Sequence, residues 1–273
     1  MQTPIILTSN NPGPRVAIFG GIHGNEICGI KTLDFLRDNI RPTRGTLILC
    51  YGNVEAIKQG KREVDYNLNR LFLAPEQYTD TMKSSYEYTR AQELIEVLDT
   101  CDYLLDIHSS PTDGSPPFII CEDDAKDIAE YLPFDIRSYG FSTVEPGGTE
   151  GYMYTKGKIG IGVECGNHND PAAILKARET ALSFLGSLGM VTDVSMKKYP
   201  QKVYRANYTY RTQTDDFKIA RKFEDFETVK QGDILGYDSG KPILSEMDGN
   251  ILFARDRKKR GVEGFVMIAP VGV

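Results

Sequence analysis

The sequence predicts an α/β domain with a mostly parallel central sheet, followed by a small all-β domain. Two observations carry the first half of that statement. Short apolar runs alternate with segments of helical period through the first two-thirds of the 273 residues. Several of those runs also end in glycine or polar residues, as buried strands do when they open into loops. A third observation is a change of texture near Lys197, after which segments are short, β-rich and separated by turn signals. The expected division is 1–196 for the larger domain and 197–273 for the β-rich one.

The elements follow in order. RVAIFGG (15–21) is an apolar run closed by two glycines and reads as a buried strand. From Glu26 to Arg37, Ile27, Ile30, Leu33 and Leu36 recur at helical spacing. GTLILCYG (45–52) is a second strand. Tyr86 to Thr100 is a helix with Ala91, Leu94, Ile95 and Leu98 on one face. CDYLLDIHSS (101–110), PFIICED (117–123) and GIGVECG (160–166) are three further strands. Asp170-Pro171 supplies an N-cap and a first-turn proline for a helix through about Leu188. Beyond Lys197 the turn signals are Lys230-Gln231-Gly232-Asp233, Asp238-Ser239-Gly240 and Asp248-Gly249-Asn250.

Composition narrows the function classes. Net charge is −6, which argues against a nucleic-acid surface. No apolar run approaches the roughly 20 residues of a membrane span. The N-terminus lacks the basic start and long apolar stretch of a signal peptide, which predicts a cytoplasmic protein. Five cysteines form no CxxC pair and read as buried reduced thiols. Only RDRKKR (255–260) is locally basic, and it reads as a solvated hairpin tip rather than a binding patch.

Two of the three histidines follow apolar strands. His23 lies in GGIHGNE and His108 in DIHSS. Strand ends of a parallel sheet form its ligand crevice. Glu26 follows His23 by three residues, so one loop can aim both side chains at one point. Two histidines and a carboxylate, with a fourth position open, form a catalytic zinc shell. Magnesium or calcium would want more oxygen ligands. Glu164 interrupts an apolar strand at its C-terminal end. A glutamate there is costly unless paired or functional, and burial would raise its pKa to suit a general base and acid. His168, in GNHND, reads as a loop residue. In KREVDYNLNRLF (61–72), Asn69-Arg70 could clamp a carboxylate and Arg62 could stabilise an oxyanion. Surface ion pairs with Glu63, Asp65 or other acids are the alternative for both arginines.

GGIHGNE, NLNRLF, DIHSS and VECG, in that order, resemble the succinylglutamate desuccinylase/aspartoacylase family, a branch of the zinc carboxypeptidase superfamily. The resemblance covers about residues 15–190. It implies a zinc carboxypeptidase-like three-layer α/β/α fold and hydrolysis of an amide in a small acylated amino acid. It implies His23, Glu26 and His108 as ligands of one zinc ion per chain, and Glu164 as general base. It further implies Arg62 as the residue that polarises the carbonyl, and Asn69 and Arg70 as the carboxylate clamp. Aspartoacylases place a tyrosine and an arginine shortly before the base. The matching stretch, GGTEGYMYTKGKIG (147–160), has Tyr152 and Tyr154 as candidate substrate contacts but no arginine, only Lys156 and Lys158. The family's β-rich C-terminal domain lies at the active-site mouth, which gives residues 197–273 a place. The pattern DILGYDSGKPILSEMDGNILF looks more like a lipoyl-type hairpin sandwich, in shape and not in cofactor attachment.

The expected function is therefore zinc-dependent hydrolysis of a small, carboxylate-bearing N-acyl compound. Two alternatives are a metallocarboxypeptidase acting on peptides and a non-catalytic binding protein of the same fold. Homo-oligomerisation through the β-rich tail is a further expectation.

Overall fold

The structure is a computed structural model that describes residues 3–272. In chain order the elements begin β1 (Ile5–Thr8), β2 (Arg15–Gly20), α1 (Ile27–Asn39), β3 (Thr46–Tyr51) and α2 (Val54–Gln59). They continue α3 (Asp80–Lys83), α4 (Tyr86–Leu98), β4 (Tyr103–Ser110), β5 (Phe118–Cys121), α5 (Lys126–Ala129) and β6 (Ile136–Tyr139). Next come α6 (Phe141–Val144), α7 (Thr149–Thr155), β7 (Ile159–Asn167) and α8 (Pro171–Ser187). Seven strands complete the chain: β8 (Lys202–Arg211), β9 (Lys218–Ile219), β10 (Glu227–Val229), β11 (Ile234–Asp238), β12 (Lys241–Leu244), β13 (Gly249–Leu252) and β14 (Glu263–Pro270).

Alternation along β2 shows why its sequence is apolar throughout. Val16 and Ile18 face one hydrophobic cluster, with Leu33 and Leu36 of α1 and Phe184 of α8. Ala17 and Phe19 face the other, with Leu94 and Leu98 of α4 and Met153 of α7. A strand buried on both faces needs apolar residues at every position. The result is three layers, helix–sheet–helix, with a core on each side of the sheet. The α8 start is as the sequence predicts: Pro171 opens the helix and Asp170 Oδ1 accepts from Ala172 N at 2.8 Å.

The strand order is β1-β3-β2-β4-β7-β5-β6-β8-β14-β13-β10. Parallel pairing joins β3, β2, β4 and β7, and β5 enters antiparallel to β7. The sheet is therefore mixed and largely parallel in its first half. β8 pairs in parallel with β6, so the C-terminal strands continue the same sheet. Phe118 and Phe141 share a core with Ala206, Leu252, Val266 and Ile268, which cements that junction. A separate three-stranded sheet, β12-β11-β9, packs at the C-terminal end. Its β11–β12 hairpin turns at Ser239-Gly240, both with positive φ, as the Asp-Ser-Gly signal predicts. Among the described residues no helix is long and apolar enough to cross a membrane, and all five cysteines are free and buried.

Candidate metal-centred active site

The C-terminal ends of β2, β4 and β7 meet at one pocket. Gly21, at φ +74°, turns the chain out of β2. A Cβ on Gly24 would lie 2.3 Å from the Ala56–Ile57 backbone, so only glycine lets this loop pack there. The loop delivers His23, and Glu26 follows at the N-cap of α1. Glu26 makes no capping hydrogen bond, because its carboxylate is turned onto the histidines. Glu26 Oε1 is 2.7 Å from His23 Nδ1, and Oε2 is 2.8 Å from His108 Nδ1. All three side chains are buried. Their ligand atoms lie within 4.8 Å of one another.

The outer nitrogens are held as well. His23 Nε2 meets Asn67 Oδ1 at 3.0 Å, and His108 Nε2 lies 3.0 Å from Asp106 Oδ2. Asp106 is fully buried and also accepts from Thr149 Oγ1 at 2.6 Å. With an ion bound at the centre, acceptors on the Nε2 side would take the protons and turn both Nδ1 lone pairs towards it. Two imidazole nitrogens and a carboxylate suit zinc, so the residues present fit the ion. Burial and the Arg62 charge push the His23 pKa down to about 4, which keeps its imidazole neutral. Burial works against the Glu26 charge, yet His23 and His108 hold its carboxyl well below the usual range.

Glu164 sits one strand over from His108, at the same level of the sheet. Burial, followed by the Glu26 charge, pushes its pKa well above the usual carboxylate range. Its Oε2 is buried and has no hydrogen-bond partner, so this atom is available to a water or substrate. Arg62 NH1 donates to Glu26 Oε1 at 3.2 Å. Asn69 Oδ1 accepts from Thr149 N at 3.2 Å, which leaves its Nδ2 hydrogens for a ligand. The Arg70 NH2 group lies 2.6 Å from both Glu145 Oε2 and Glu263 Oε2.

Thus His23, Glu26, His108, Glu164, Arg62, Asn69 and Arg70 all line one pocket. Both arginines do form ion pairs, with other acids than Glu63 and Asp65: Arg62 with Glu26, and Arg70 with Glu145 and Glu263, all at the pocket and not on the open surface. Tyr152 and Tyr154 are not brought there, which corrects their expected role as substrate contacts. Tyr152 is buried in the core under α4, with its hydroxyl donating to Asp99 Oδ1 at 2.6 Å. Tyr154 is 46% exposed on the surface. From the same helix it is Glu150 that reaches the pocket. Lys156 lies over the Tyr152 ring, and Lys158 Nζ donates to the Leu98 and Asp99 carbonyls. His168 stands behind the centre, with Nδ1 2.8 Å from Ser109 Oγ.

The RDRKKR cluster differs from a wholly solvated tip. It does connect β13 to β14, but Arg255 and Arg257 turn inward and only Asp256, Lys258, Lys259 and Arg260 are exposed. Sequence reasoning also passed over Asp106, Asn67 and Glu87. Asp106 had a usable signal, since it lies two residues before His108 and shares its face of the strand. Glu87 is an acidic residue in the first turn of α4, a common helix position that carries no signal of its own. It is fully buried and accepts from Val64 N, Asp65 N, Tyr66 N and Asn53 Nδ2. It therefore anchors the loop that carries Arg62, Asn67, Asn69 and Arg70.

Residues 12–188 match the succinylglutamate desuccinylase/aspartoacylase catalytic domain. The chain belongs to this family. It is 24% identical to a succinylglutamate desuccinylase of Pseudoalteromonas atlantica, over 93% of this chain and 81% of that one. It is 29% identical to an N-acyl-aromatic-L-amino acid amidohydrolase (carboxylate-forming) of Rattus norvegicus, over 88% and 84%. The crystal structure of succinylglutamate desuccinylase from Vibrio cholerae superposes with a TM-score of 0.79 at 17% identity, covering 99% of this chain and 91% of that one. The family's fold thus extends through the C-terminal strands of this chain, beyond the catalytic-domain match.

Proposed function

We propose that this chain is a zinc-dependent amidohydrolase that releases the amine from a small N-acylated amino acid or a related carboxylate-bearing compound. The observation that carries the reading is the convergence of His23, Glu26 and His108 beside Glu164, whose Oε2 is buried and unpartnered. The names of the two curated relatives, both amide hydrolases of acyl amino acids, support the same class. A reducing, cytoplasmic location is in keeping with the five free cysteines.

The ion held by His23, Glu26 and His108 would supply Lewis acidity, which acidifies water and polarises a carbonyl. Everything else falls to the chain's own groups. Glu164, with its raised pKa, takes a proton from the attacking water and returns it to the leaving amine. Arg62 places a guanidinium where the carbonyl oxygen gains charge. Asn69 Nδ2 and Arg70 bind the substrate carboxylate, and this carboxylate competes with Glu263 for the guanidinium. Asp106 and Asn67 keep both imidazoles in one tautomer and one orientation.

Phe253, Arg255 and Glu263 of the C-terminal segment wall the pocket together with the first-half residues. A pocket closed in this way favours a small acyl compound over a peptide. The test is a hydrolysis screen over N-acyl amino acids and dipeptides with free C-termini, read by amine release. Turnover of N-acyl amino acids, lost with chelator and restored by zinc, is expected. If dipeptides were cleaved faster, the metallocarboxypeptidase alternative would take its place. Zinc-loaded protein inert towards every member would point to the binding protein.

A further inference from the structure

We infer that Asp225 is a positioning residue: its buried carboxylate clasps the loop after β4 to the residue after β13, and so holds two walls of the pocket at one fixed spacing. This role rests on the amidohydrolase reading and adds to it a device by which the C-terminal segment shapes the site. Asp225 lies between β9 and β10 and is buried. Its Oδ2 accepts from Ser115 Oγ at 2.6 Å and from Ser110 Oγ at 3.3 Å. Its Oδ1 accepts from Phe253 N at 2.8 Å. Ser110 ends β4 and Ser115 lies in the loop that follows, while Phe253 comes directly after β13. Ser110 Oγ also accepts from Thr112 N at 3.1 Å, so the loop is ordered from its first turn. A carboxylate taken out of water is costly unless its oxygens are bonded. Three donors that converge on it from two segments therefore make a built contact.

The clasp acts on backbone that does not hold its shape unaided. Phe253 has φ +56°, and Phe226, next to Asp225, has φ +67°. A bulky residue in the left-handed region is strained and persists only where its surroundings over-determine it. Both rings pack on Phe118, with centroids 5.0 Å away for Phe226 and 6.0 Å for Phe253. Phe118 is the register partner of Glu164, on the antiparallel strand β5. The aromatic group thus stands beside the proposed base, and Phe253 itself lines the pocket. So do Ser109, Ser110, Pro111 and Thr112 from the loop side, whereas Asp225 and Ser115 do not. Asp225 therefore acts through the walls it joins. Without its bond the Phe253 backbone would relax to negative φ and carry the ring off the wall. A second link between the same segments, Lys222 Nζ to Asp113 Oδ2 at 3.1 Å, is exposed and contributes little.

The experiment takes two readouts on zinc-loaded full-length protein. One is steady-state kinetics with the N-acetyl or N-succinyl amino acid that it turns over fastest. The other is amide hydrogen exchange in peptides spanning 109–117 and 250–256. D225A should raise KM about tenfold, the usual contribution of a charge-assisted hydrogen bond. Its kcat should stay within about threefold, because the groups proposed for the chemistry make no contact with Asp225. D225N keeps one acceptor oxygen and should restore KM part-way. S115A should raise KM by less than D225A and should speed exchange at 250–256, a segment to which Ser115 is linked through Asp225. In an F253G background, where glycine takes positive φ freely and there is no ring to place, D225A should add little. K222Q, which breaks the exposed link, should leave KM and exchange unaltered. If D225A does not fold, S115A and D225N carry the test. Lowered stability with unaltered KM in these variants would make the clasp structural only and overturn the proposal. Exchange at 250–256 unmoved in S115A, or a fall in kcat at constant KM, would overturn it too. If the wild-type protein hydrolyses no N-acyl amino acid, the amidohydrolase reading fails separately. Exchange then decides alone: both segments quickened together in S115A keep the clasp, and 250–256 unmoved removes it.

Discussion

His108 and Glu164 are register partners on the adjacent parallel strands β4 and β7. Their Cα positions are therefore about one strand spacing apart, roughly 4.8 Å, and their side chains share one face of the sheet. The distance between a proposed metal ligand and the proposed base is set by backbone hydrogen bonding and not by a flexible loop. A one-residue slip would turn Glu164 to the opposite face. Replacing Glu164 with Gln keeps the shape and removes the base. The expected result is unchanged zinc content and a loss in kcat of about 10²- to 10⁴-fold. Metal analysis and steady-state rates on the same sample check it, and undiminished turnover would remove Glu164 from its role.

Asp106 acts through His108. It is buried without exposure, 3.0 Å from His108 Nε2, and its other contact is Thr149 Oγ1. The Asp106→Asn variant should weaken zinc binding by about 10- to 100-fold, the usual cost of losing an outer carboxylate behind a ligating histidine. Competition with a chromophoric chelator measures this. An unchanged zinc affinity would show that Asp106 fills space and nothing more.

The apolar runs of β2, β3, β4 and β7 were legible in the sequence because both faces of those strands are buried, so every position is constrained. β1 and β6 were not: each has only four residues, and half or more of them are partly exposed. The convergence of His23, Glu26, His108 and Glu164 was legible because polar residues at the ends of apolar strands stand out. Glu87 was hidden because its partners are backbone N–H groups, which leave no trace in residue types. Arg255 was hidden in a basic run whose inward and outward members look alike. Tyr152 and Tyr154 were misplaced because a helix, α7, carries that stretch, and helical rotation sends Glu150 to the pocket and the tyrosines elsewhere.

Glu87 tests the importance of the hidden anchor. Glu87→Gln replaces one acceptor oxygen by a donor facing the N–H groups of Val64, Asp65 and Tyr66. Disrupting a buried, charge-assisted network of this kind costs about 2–4 kcal/mol. Urea unfolding should show that loss, and KM should rise because Asn69 and Arg70 ride on the same loop. Full stability in the variant would mean the loop is held by other contacts.

Glu263 predicts a pH dependence of stability. Burial opposes its charge, but Arg70, Arg257 and their neighbours hold its carboxyl far below the usual range. A carboxylate with a depressed folded pKa stabilises the fold above its unfolded value of about 4.3. That contribution is lost progressively as pH falls towards the folded value. Wild-type protein should therefore lose stability steeply below about pH 5. Glu263→Gln should be less stable at pH 7 and should show a flatter acid limb. Denaturant midpoints taken from pH 7 to pH 3 check both, and parallel acid limbs for the two proteins would refute the linkage.

Tyr152 and Tyr154 close the question left by the stretch before Glu164. The Tyr152 hydroxyl donates to Asp99, away from the pocket that holds His23, Glu26 and His108, and Tyr154 faces solvent. Tyr152→Phe removes one hydrogen bond of 2.6 Å and should cost about 1 kcal/mol of stability. Tyr154→Phe should be neutral. Neither variant touches a group that meets substrate, so KM and kcat should both stay within about twofold. In contrast, Glu150→Gln, on the same helix but lining the pocket, should change KM. If a tyrosine variant raised KM several-fold while Glu150→Gln left it unaltered, α7 would have to rotate on substrate binding, and the wall opposite Arg70 would be built by the tyrosines after all.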